Sequence, residues 1–524
     1  MASQLLSLLV IASATILVLL LQSNGADSAK ILCVFPTGSK SHVLGPQALL
    51  KNLAQRGHEV TMVSSFPLSK PVKNYRDVYV PVDDKFGPVM ASFMQGGSRN
   101  MFKYMPIITK ASLDNSNYTI NSPQFQKLVK EEQFDVAIVG FFMNDFVLGI
   151  RSWFKCPTIF YFSAGFGSLN NVVGNPLEVS AAPHLLLGKK DPMSFIDRVI
   201  NTLVYTIDFV ILNIIQHITK PYYESNFPAE KGYPSYEQAK LDVSLVLLNS
   251  YFTQSVPRPY LPNMVEVGGL QIKSKPDPLP EDIKAWLDGA KDGAIFISFG
   301  SNLKSSNLRQ DKFDAIIGSI SKLKQRIIWK WDADEMPGKP ANVLIGKWLP
   351  QDDILAHKNL KLFLTHGGLG SITEAMYHGV PVVGIPMFGD QDTNVAQVVK
   401  EGWGASVSFD DLTEEKLTAA IGEVLGKPGY AQTIETMASL YKDRPQSSMD
   451  LATFWVEYVV RHKGAKHLHY QGADLNVLQR NSVDVYAFLG AVVYAVFKIV
   501  SFVMRRVKRL VCGGKHATQK QKKH

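Results

Sequence analysis

The stretch "FLTHGGLGSITEA", residues 363–375, combines residue types that can bind an anion. An apolar run ends at His366, glycines follow, and a helical segment then begins that carries Ser371 and Glu374. Glycines let a ligand approach the backbone closely, and a helix N-terminus offers free N–H groups. The stretch therefore predicts a phosphate site. Ser371 and Glu374 also fit a capping box, which would only close the helix.

A second polar cluster follows the next apolar run, at Asp390-Gln391-Asp392. Capping does not account for this cluster or for the histidine and its glycines, so phosphate binding is favoured. Gly368 and Gly370 with Asp390 downstream resemble a dinucleotide fingerprint, but Thr373 replaces the third glycine. The residues alone leave the kind of nucleotide open.

The elements that must position these residues alternate between strand and helix. A strand is predicted at Lys30–Phe35, a helix at Val43–Arg56 and a second strand at His58–Ser64. This βαβ unit predicts a parallel α/β sheet, which residues 134–139 and 158–161 extend.

A similar series restarts near Ala294, after a Pro- and Gly-rich stretch at residues 267–280. Its apolar runs predict strands within "AIFISFG", "RIIWKW", "VLIGKW", "LKLFLTH" and "VPVVGIP". The pattern predicts two α/β domains, with ligands bound at the carboxyl ends of the strands in the cleft between them. The "FLTHGG" glycines then lie at such a strand end, before a short helix at Ser371–His378.

Composition excludes several classes of protein. The 524 residues include only three cysteines, too few for a disulfide scaffold, and no zinc motif is present. No metal site is predicted. The net charge of +9 is misleading, because residues 505–524 carry eight basic side chains and no acid, which leaves +1 for the rest. We therefore predict a protein that does not bind nucleic acid.

The two ends predict a membrane protein. Residues 1–25 are typical of a signal peptide, and residues 485–504 are long and apolar enough to span a bilayer. The basic tail is expected in the cytosol and the bulk of the chain in the lumen. Lys520 and Lys522 resemble a dilysine retrieval signal for the endoplasmic reticulum, although a merely solvated tail is equally compatible. Asn117, in the sequon Asn-Tyr-Thr, is predicted to be glycosylated.

Two further stretches have ordinary interpretations. Residues 195–218 are strongly apolar but contain Asp197, Arg198 and Asp208, so we expect a helix packed on the core or lying on a membrane, not a span. Asp332-Ala-Asp334 resembles a metal-binding motif, but the Pro-Gly that follows favours an exposed turn.

The segment "KWLPQDDILAHKNLKLFLTHGGLGSITEAMYHGVPVVGIPMFGDQDTN", residues 347–394, resembles the signature of the membrane-bound UDP-glycosyltransferases, the relatives of UDP-glucuronosyltransferases. The resemblance extends over nearly the whole chain, including "RGHEVTMVSSFP", "FISFGS" and the basic tail. It implies two Rossmann-like domains that face a cleft, the GT-B arrangement, with one C-terminal transmembrane helix. The expected divisions are a signal peptide (1–25), an acceptor domain (26–270), a linker (271–285), a UDP-sugar domain (286–440), a helical segment (441–482), a transmembrane helix (483–504) and a cytosolic tail (505–524).

The resemblance also implies roles for individual residues. Trp348 would stack on the uracil, where a core tryptophan is the alternative, and Gln351 would help to hold the uridine. Glu374 would accept both ribose hydroxyls. The implied diphosphate contacts are Ser301, His366, Gly368 and Ser371, and the implied sugar contacts are Asp390 and Gln391. Gly370 stands where many relatives have asparagine.

For the base, the resemblance points to His42, in the loop after the first strand. The family pairs its histidine with an acid that corresponds here to Gly140, so we expect the nearby Asp145 to orient His42 instead. The base would take the acceptor's proton as a small lipophilic, for example phenolic, hydroxyl attacks the sugar with inversion. Asp390 and its neighbours include no basic residue, which favours UDP-glucose over UDP-glucuronate as the co-substrate.

The expected enzyme is therefore a lumenal, single-pass type I glycosyltransferase of the endoplasmic reticulum membrane. It needs no cofactor besides the UDP-sugar, and its partners are that donor, the acceptor and the lipid bilayer. A homo-oligomer remains open. Two other classes of function also remain open, a non-catalytic homologue that binds UDP-sugars or partners an active enzyme, and a nucleotide-dependent oxidoreductase.

Overall fold

The structure is a computed structural model that describes residues 28–82, 86–96, 101–163, 173–184, 187 and 192–517. The predicted signal peptide and the two lysines of the retrieval signal lie outside these residues. The described chain divides into two compact units, one that ends at His469 and one that begins at Tyr470.

The first unit contains two parallel β-sheets with helices on both faces. The seven strands of the first sheet lie in the order β3-β2-β1-β4-β5-β6-β7, and the six strands of the second in the order β10-β9-β8-β11-β12-β13. The strands are β1 Lys30–Phe35, β2 Glu59–Ser64, β3 Tyr75–Tyr79, β4 Val136–Phe141, β5 Thr158–Phe162, β6 Leu245–Leu248, β7 Met264–Glu266, β8 Ala294–Ser298, β9 Arg326–Lys330, β10 Val343–Gly346, β11 Leu360–Thr365, β12 Val382–Gly384 and β13 Gly404–Ser406.

The α-helices follow the strands in the alternation that the sequence predicts. They are α1 Lys40–Gln55, α2 Phe86–Met94, α3 Met101–Asn121, α4 Pro123–Glu131, α5 Ile150–Phe154, α6 Phe195–Asn226, α7 Tyr236–Leu241, α8 Glu281–Asp288, α9 Gln310–Ser321, α10 Gln351–Leu355, α11 Leu369–His378, α12 Gln391–Glu401, α13 Glu414–Gly426, α14 Pro428–Lys442, α15 Ser448–Arg461, α16 Val477–Arg480 and α17 Val483–Ala517. The strands predicted at the start of both series are confirmed, with ends that shift by a few residues.

Each sheet is buried on both faces, which explains why its strands are apolar at nearly every position. In β1, Leu32 and Val34 contribute to one core cluster, while Ile31, Cys33 and Phe35 contribute to the cluster on the opposite face. Alternate side chains of a strand point to opposite faces, so the continuous apolar run fills two layers at once.

Both sheets reverse their strand order beside their first strand. In the first sheet β1 lies between β2 and β4, and in the second sheet β8 lies between β9 and β11. Such reversal points open a crevice at the carboxyl ends of the strands. The loops after β1, β8 and β11 therefore form the region where a ligand is expected.

Helices of the first domain also pack on the second domain. Met90, Phe93 and Tyr104 join the core cluster that contains Ile295 and Ile297 of β8. The ring of Phe93 stacks on Phe388 with centroids 5.1 Å apart. This apolar contact joins the two domains beside the cleft.

Helix α15 returns to the first domain. The Arg56 Nε donates to Glu457 Oε1 at 2.7 Å, and the Asn52 Nδ2 donates to Thr453 Oγ1 at 2.8 Å. The second unit begins later, at Tyr470, and contains α16 and α17. By length and composition, two described helices are apolar enough to cross a membrane, Phe195–Asn226 and Val483–Val511.

Candidate active site

The loop after β11 gives α11 an open N-terminus. Gly367 has φ of +83°, in the region that favours glycine, and a Cβ there would lie 2.3 Å from Val395. Gly368 is the N-cap residue of α11, and no side chain caps this helix in the described structure. The N–H groups of the first turn are therefore available to an anion.

The capping-box alternative for Ser371 and Glu374 is wrong. The helix begins at Leu369, two residues before Ser371, so Ser371 lies inside the first turn and cannot be the N-cap residue. Its Oγ instead accepts a hydrogen bond from Gln351 Nε2 at 3.1 Å. Both side chains are thus available for interactions other than closing the helix.

Glu374 is a buried carboxyl that is held by two amides. Gln351 Nε2 donates to its Oε2 at 2.7 Å, and Gln271 Nε2 donates to its Oε1 at 3.3 Å. Burial raises the pKa of Glu374 to about 7, and the Gln351 hydrogen bond opposes that rise. A carboxyl held in this way suits a ligand that presents two hydroxyl groups.

The loop after β8, which holds Ser301, comes close to His366 in the loop after β11. The Ser301 Oγ is buried and has no hydrogen-bond partner among the described residues. Gly300 has φ of +82°, and a Cβ on it would lie 2.7 Å from the imidazole of His366. The Ser301 hydroxyl therefore retains hydrogen-bonding capacity that a ligand at this position could use.

Lys330, at the end of β9, adds a cation to these loops. Its Nζ donates to the carbonyl oxygen of Gly300. Burial lowers the pKa of Lys330 to about 8, and burial followed by the Lys330 charge lowers the pKa of His366 to about 4. His366 is therefore neutral at pH 7, and Lys330 places a cation directly beside the loop that holds Ser301.

Trp348 is an exposed aromatic platform. Its side chain is 55% exposed, so the core-tryptophan alternative is wrong. The Nζ of Lys40, from the start of α1, lies 3.6 Å from the Trp348 ring centroid, and the Nζ of Lys330 lies 5.3 Å from it. A cation over an indole face is a favourable contact, and this one links the two domains.

Asp390 and Gln391 lie at the N-terminus of α12. Asp390 Oδ2 accepts from Asn394 Nδ2 at 2.8 Å, and burial raises the pKa of Asp390. Gln391 Oε1 accepts from the backbone N–H groups of Met387 and Phe388 at 2.9 and 3.1 Å. Gln391 thus holds its own loop through its oxygen and leaves its amide nitrogen without a partner among the described residues.

His42 lies in the first turn of α1, after the end of β1, as the sequence analysis predicts. Its Nδ1 and the Ser163 Oγ are 2.6 Å apart, and its ring meets the edge of Phe142 with centroids 5.0 Å apart. Burial lowers the pKa of His42 to about 4, so the imidazole is neutral at pH 7. A neutral imidazole with one nitrogen held in place can accept a proton at the other.

The structure does not bring Asp145 to His42. Asp145 is buried at the start of a 3₁₀ turn, Asp145–Gly149, where its Oδ2 accepts from the Tyr236 Oη at 2.6 Å. Burial raises its pKa, and the nearby Lys240 opposes that rise. Asp145 therefore fixes α7 against this turn, and Ser163 replaces it as the partner of His42.

The ring of Phe35 explains why residue 140 is a glycine here and not the acid that the resemblance indicates. A Cβ on Gly140 would lie 2.1 Å from the ring of Phe35. Phe35 thus fills the space that an aspartate side chain at residue 140 would require.

Residues just before His42 tie the first domain to the loop of Ser301. The Asn302 Nδ2 donates to Ser39 Oγ at 2.9 Å. Ser39, Lys40 and His42 lie within four consecutive residues; the first two contact the second domain, and the third is the candidate base. The position of His42 therefore depends on the contact between the domains.

The predicted glycosylation site and the Asp-Ala-Asp stretch both lie within the described residues. Asn117 lies half-buried inside α3, where its Oδ1 accepts from Asn226 Nδ2 at 2.8 Å, and its glycosylation stays a prediction. Asp334 is exposed and pairs with Lys347 at 2.7 Å, in the turn that the sequence predicts. Within the described residues no group of His, Cys, Asp and Glu side chains is arranged to hold a metal ion.

Four residues at this site were not predicted from the sequence. Lys330 ends a predicted strand and so lies at the correct sheet edge, a signal that was present in "RIIWKW". Ser163 likewise follows the end of β5. Lys40 and Asn302 carry no such signal, because their roles arise from contact between two domains that are far apart in sequence.

The chain resembles known proteins over nearly its whole length. The sequence pattern of the family described as "UDP-glucoronosyl and UDP-glucosyl transferase" matches residues 29–517. The UDP-glycosyltransferase UGT5 of Dactylopius coccus is 34% identical over 499 residues, which cover 93% of this chain and 94% of the relative. The UDP-glucuronosyltransferase 2B15 of Homo sapiens is 30% identical over 94% of this chain and 96% of the relative.

Other similarities concern a different sugar and the fold. The 2-hydroxyacylsphingosine 1-beta-galactosyltransferase of Rattus norvegicus is 32% identical, over 94% of this chain and 92% of the relative. A solved UDP-glucosyltransferase from Polygonum tinctorium, described as capable of glucosylating indoxyl, superposes with a TM-score of 0.54 at 17% identity, over 83% of this chain and 99% of that one. The calicheamicin glycosyltransferase CalG4 gives a TM-score of 0.52 at 16% identity, over 83% and 99% of the two chains. These structural neighbours establish the GT-B fold.

Proposed function

The chain belongs to the UDP-glucuronosyl and UDP-glucosyl transferase family and is a UDP-glycosyltransferase, and we propose that it transfers glucose from UDP-glucose to a small lipophilic hydroxyl compound with inversion. The observation that carries the proposal is the contact of the turn that holds His42 with the second domain, where Lys40 lies over the exposed ring of Trp348 and Ser39 accepts a hydrogen bond from Asn302.

The donor would lie along the second domain. The uracil stacks on Trp348, and the carboxylate of Glu374 accepts hydrogen bonds from the two ribose hydroxyls. The diphosphate meets the Ser301 hydroxyl, His366 and the N-terminus of α11 at Gly368 and Ser371. Lys330 adds a positive charge near these groups. The Lys40 ammonium group lies at stacking distance from the ring of Trp348. A uracil that stacks on this face of Trp348 must therefore displace the Lys40 side chain.

The reaction would be a single displacement with His42 as the base. The acceptor oxygen attacks the anomeric carbon, the bond from that carbon to the UDP oxygen breaks, and UDP leaves with the electron pair. His42 Nε2 takes the hydroxyl proton while Nδ1–H donates to Ser163 Oγ. Attack opposite to the leaving group inverts the anomeric centre. Lys330 and the N–H groups of α11 stabilise the charge that develops on UDP.

The preference for glucose rests on the charge of the sugar site. Asp390 and Gln391 offer a carboxylate and an amide, and the segment at residues 389–394 contains two acids and no base. Glucuronate differs from glucose by a carboxylate, which calls for a nearby cation such as arginine. A like charge at close range disfavours that carboxylate, whereas the glucose hydroxyl can donate to Asp390.

We also propose that the enzyme is anchored in the endoplasmic reticulum membrane with its two α/β domains in the lumen. The helix Val483–Val511 is long and apolar enough to span, and basic side chains follow it in the sequence. Replacing Lys520 and Lys522 with serine should let the protein leave the endoplasmic reticulum. An unchanged location would show that the tail carries no retrieval signal.

The proposal is tested by measuring UDP release from the purified full-length protein with a panel of phenols. UDP-glucose and UDP-glucuronate are then supplied together at equal concentration with the best acceptor. We expect the glucoside as the main product, with the anomeric configuration inverted. A glucuronide as the main product would refute the donor assignment, and retention of configuration would refute the single displacement.

A further inference from the structure

Two lysines from different domains meet at the ring of Trp348. The Nζ of Lys40, from the first domain, lies 3.6 Å from the ring centroid, and the Nζ of Lys330, from the second domain, lies 5.3 Å from it. The two nitrogens are therefore no more than 8.9 Å apart, the sum of those distances. Two ammonium groups held this close repel each other.

Acidic side chains do not neutralise this pair. Among the described residues, neither Lys40 nor Lys330 forms an ion pair with an acid. The first turn of α1, which Lys40 begins, contains no acid, and no side chain caps that helix. Asp332, two residues after Lys330, instead accepts hydrogen bonds from the backbone N–H and the hydroxyl of Ser306.

The surroundings of the two lysines disfavour their charged forms. Burial lowers the pKa of Lys40. Burial also lowers the pKa of Lys330 to about 8, where the charge of Asp332 opposes the shift and the charge of Lys40 adds to it. An anion between the two ammonium groups would stabilise both.

The loop after β8 lies between the two lysines. Lys330 Nζ donates to the carbonyl oxygen of Gly300 in this loop. Asn302, in the same loop, donates from its Nδ2 to the Oγ of Ser39 at 2.9 Å, and Ser39 is the neighbour of Lys40 in the chain. One cation from each domain thus flanks the loop at which the donor diphosphate is proposed to bind.

We propose that Lys40 is a donor-binding residue supplied by the acceptor domain, which leaves the Trp348 ring when the uracil stacks there and pairs with the diphosphate of the UDP-sugar. The inference rests on the proposed function, because it takes Trp348 as the uracil platform. The flexible four-carbon stem of lysine lets the ammonium group move while the backbone of α1 stays in place. The exchange replaces repulsion between two cations with the attraction of both to one anion.

Lys40 would then also assist the departure of UDP. As the bond from the anomeric carbon to the UDP oxygen breaks, the electron pair stays on that oxygen, and negative charge grows on the terminal phosphate. Lys40 stays protonated, transfers no proton and offsets this charge. Since His42 lies two residues further on, the first turn of α1 carries both the base for the acceptor and a cation for the leaving group.

The test compares UDP with uridine, which lacks the diphosphate, by titration calorimetry on the full-length protein. Lys40→Met removes the charge and keeps a long side chain. Uridine no longer has to displace an ammonium group, so it should bind roughly two- to fivefold more tightly. UDP loses its contact with Lys40 and should bind at least about fivefold more weakly. The ratio of UDP affinity to uridine affinity should therefore fall at least about tenfold.

Two variants serve as controls. Lys40→Arg keeps the charge and should restore most of the ratio. Lys442→Met removes a lysine that also lies over an aromatic ring, with its Nζ 4.6 Å from the centroid of Tyr377, and should change neither affinity. Added KCl should weaken the binding of UDP to the wild type more steeply than to Lys40→Met, because salt screens the lost ion pair.

An unchanged ratio in Lys40→Met would overturn the contact with the diphosphate, and equally tighter binding of both ligands would make Lys40 only a cover of the ring. If Trp348→Ala weakens uridine binding but Lys40→Met leaves it unchanged, the exchange on the ring is overturned. Uridine affinity that neither variant changes would refute the uracil platform of the proposed function and therefore the exchange, while the ratio still decides the contact with the diphosphate.

Discussion

The donor side and the acceptor side of the site differ in the sequence separation of their residues. On the donor side, Trp348, Gln351, His366, Ser371, Glu374 and Asp390 all fall within residues 347–394. On the acceptor side, His42 meets Ser163, which lies 121 residues away. Most of the proposed donor side is therefore one local unit, to which Ser301 and Lys330 add groups from the loop after β8 and the end of β9. The acceptor side is assembled by the sheet, because β1 and β5 are separated by β4.

This difference has a chemical counterpart. The donor side offers amides, a carboxyl, hydroxyls and a helix N-terminus, which match the polar groups of a nucleotide sugar. His42 is neutral at pH 7 and contacts the ring of Phe142 and the hydroxyl of Ser163. With His42 as the proposed base, the two sides can be perturbed separately.

His42→Ala should have the largest effect, because it should remove catalysis without changing donor binding. Turnover should fall by about 10²–10⁴-fold, the usual contribution of a positioned general base, while UDP affinity stays unchanged. Stopped assays of UDP release measure the first quantity, and titration calorimetry with UDP measures the second. Near-normal turnover would show that His42 is not the base. A loss of UDP affinity would show that the two sides are not independent.

The donor side should respond in the opposite way to Trp348→Ala. Stacking of a base on an aromatic ring contributes about 1–3 kcal/mol, so UDP binding should weaken by roughly 5- to 150-fold. Trp348→Phe retains an aromatic face and is the matched control, with a smaller loss. If Trp348→Ala binds UDP normally, the uracil does not lie on this ring, and Lys40 covers the tryptophan for another reason.

The same difference explains what the sequence could predict. Buried parallel strands are apolar at nearly every residue, so both sheets and most strand positions were visible. Most of the proposed donor residues could be named from the sequence because one contiguous motif contains them, and their roles stay predictions. Ser163 was missed, and Asp145 was misassigned, because the partner of His42 depends on which strand ends are neighbours in the sheet. Asp145 is close to Gly140 in sequence, but its carboxyl points to Tyr236.

The capping box illustrates a local error. Ser371 and Glu374 have the correct spacing, but Gly368 begins the helix earlier because its backbone is extended, with φ of −62° and ψ of 142°. The spacing of two residue types does not determine which residue ends the preceding loop. The exposed position of Trp348, by contrast, was favoured by its place after a strand and before Leu-Pro, and its exposure is confirmed.

The donor side should also show a pH dependence of its own. The pKa of Glu374 is raised to about 7 by burial, so the group is neutral below pH 7 and a carboxylate above it. Only the carboxylate can accept from both ribose hydroxyls, and Lys330, whose pKa is about 8, loses about half of its charge by pH 8, so donor kcat/KM should rise about fivefold between pH 6 and pH 8. The pKa of His42, about 4, adds no change in this range.

The control for this profile is Glu374→Gln, which cannot ionise. Its kcat/KM should be lower than that of the wild type at pH 8, and between pH 6 and 8 it should show no rise but a fall of about twofold, as Lys330 loses its proton. A wild-type profile that is flat over the same range would contradict the assignment of Glu374 as the ribose acceptor, since the carboxyl would then not need to be ionised.

The acceptor side is tested most finely by comparing Ser163→Ala with Asp145→Ala. The Ser163 hydroxyl holds Nδ1 of His42, and a single hydrogen bond contributes about 0.5–1.5 kcal/mol. Turnover of Ser163→Ala should therefore fall by roughly 2- to 13-fold with unchanged UDP affinity. Ser163→Thr keeps a hydroxyl and should recover most of the loss, which a purely structural role would not require.

Asp145→Ala leaves the Tyr236 hydroxyl buried without its acceptor, at a cost of about 1–3 kcal/mol in the free energy of unfolding. The Tm of this variant should therefore fall, while its kcat stays within about twofold at a temperature where the variant is folded. If instead Asp145→Ala loses turnover and Ser163→Ala does not, the carboxyl reaches His42 in the working enzyme and the base has its acid partner after all.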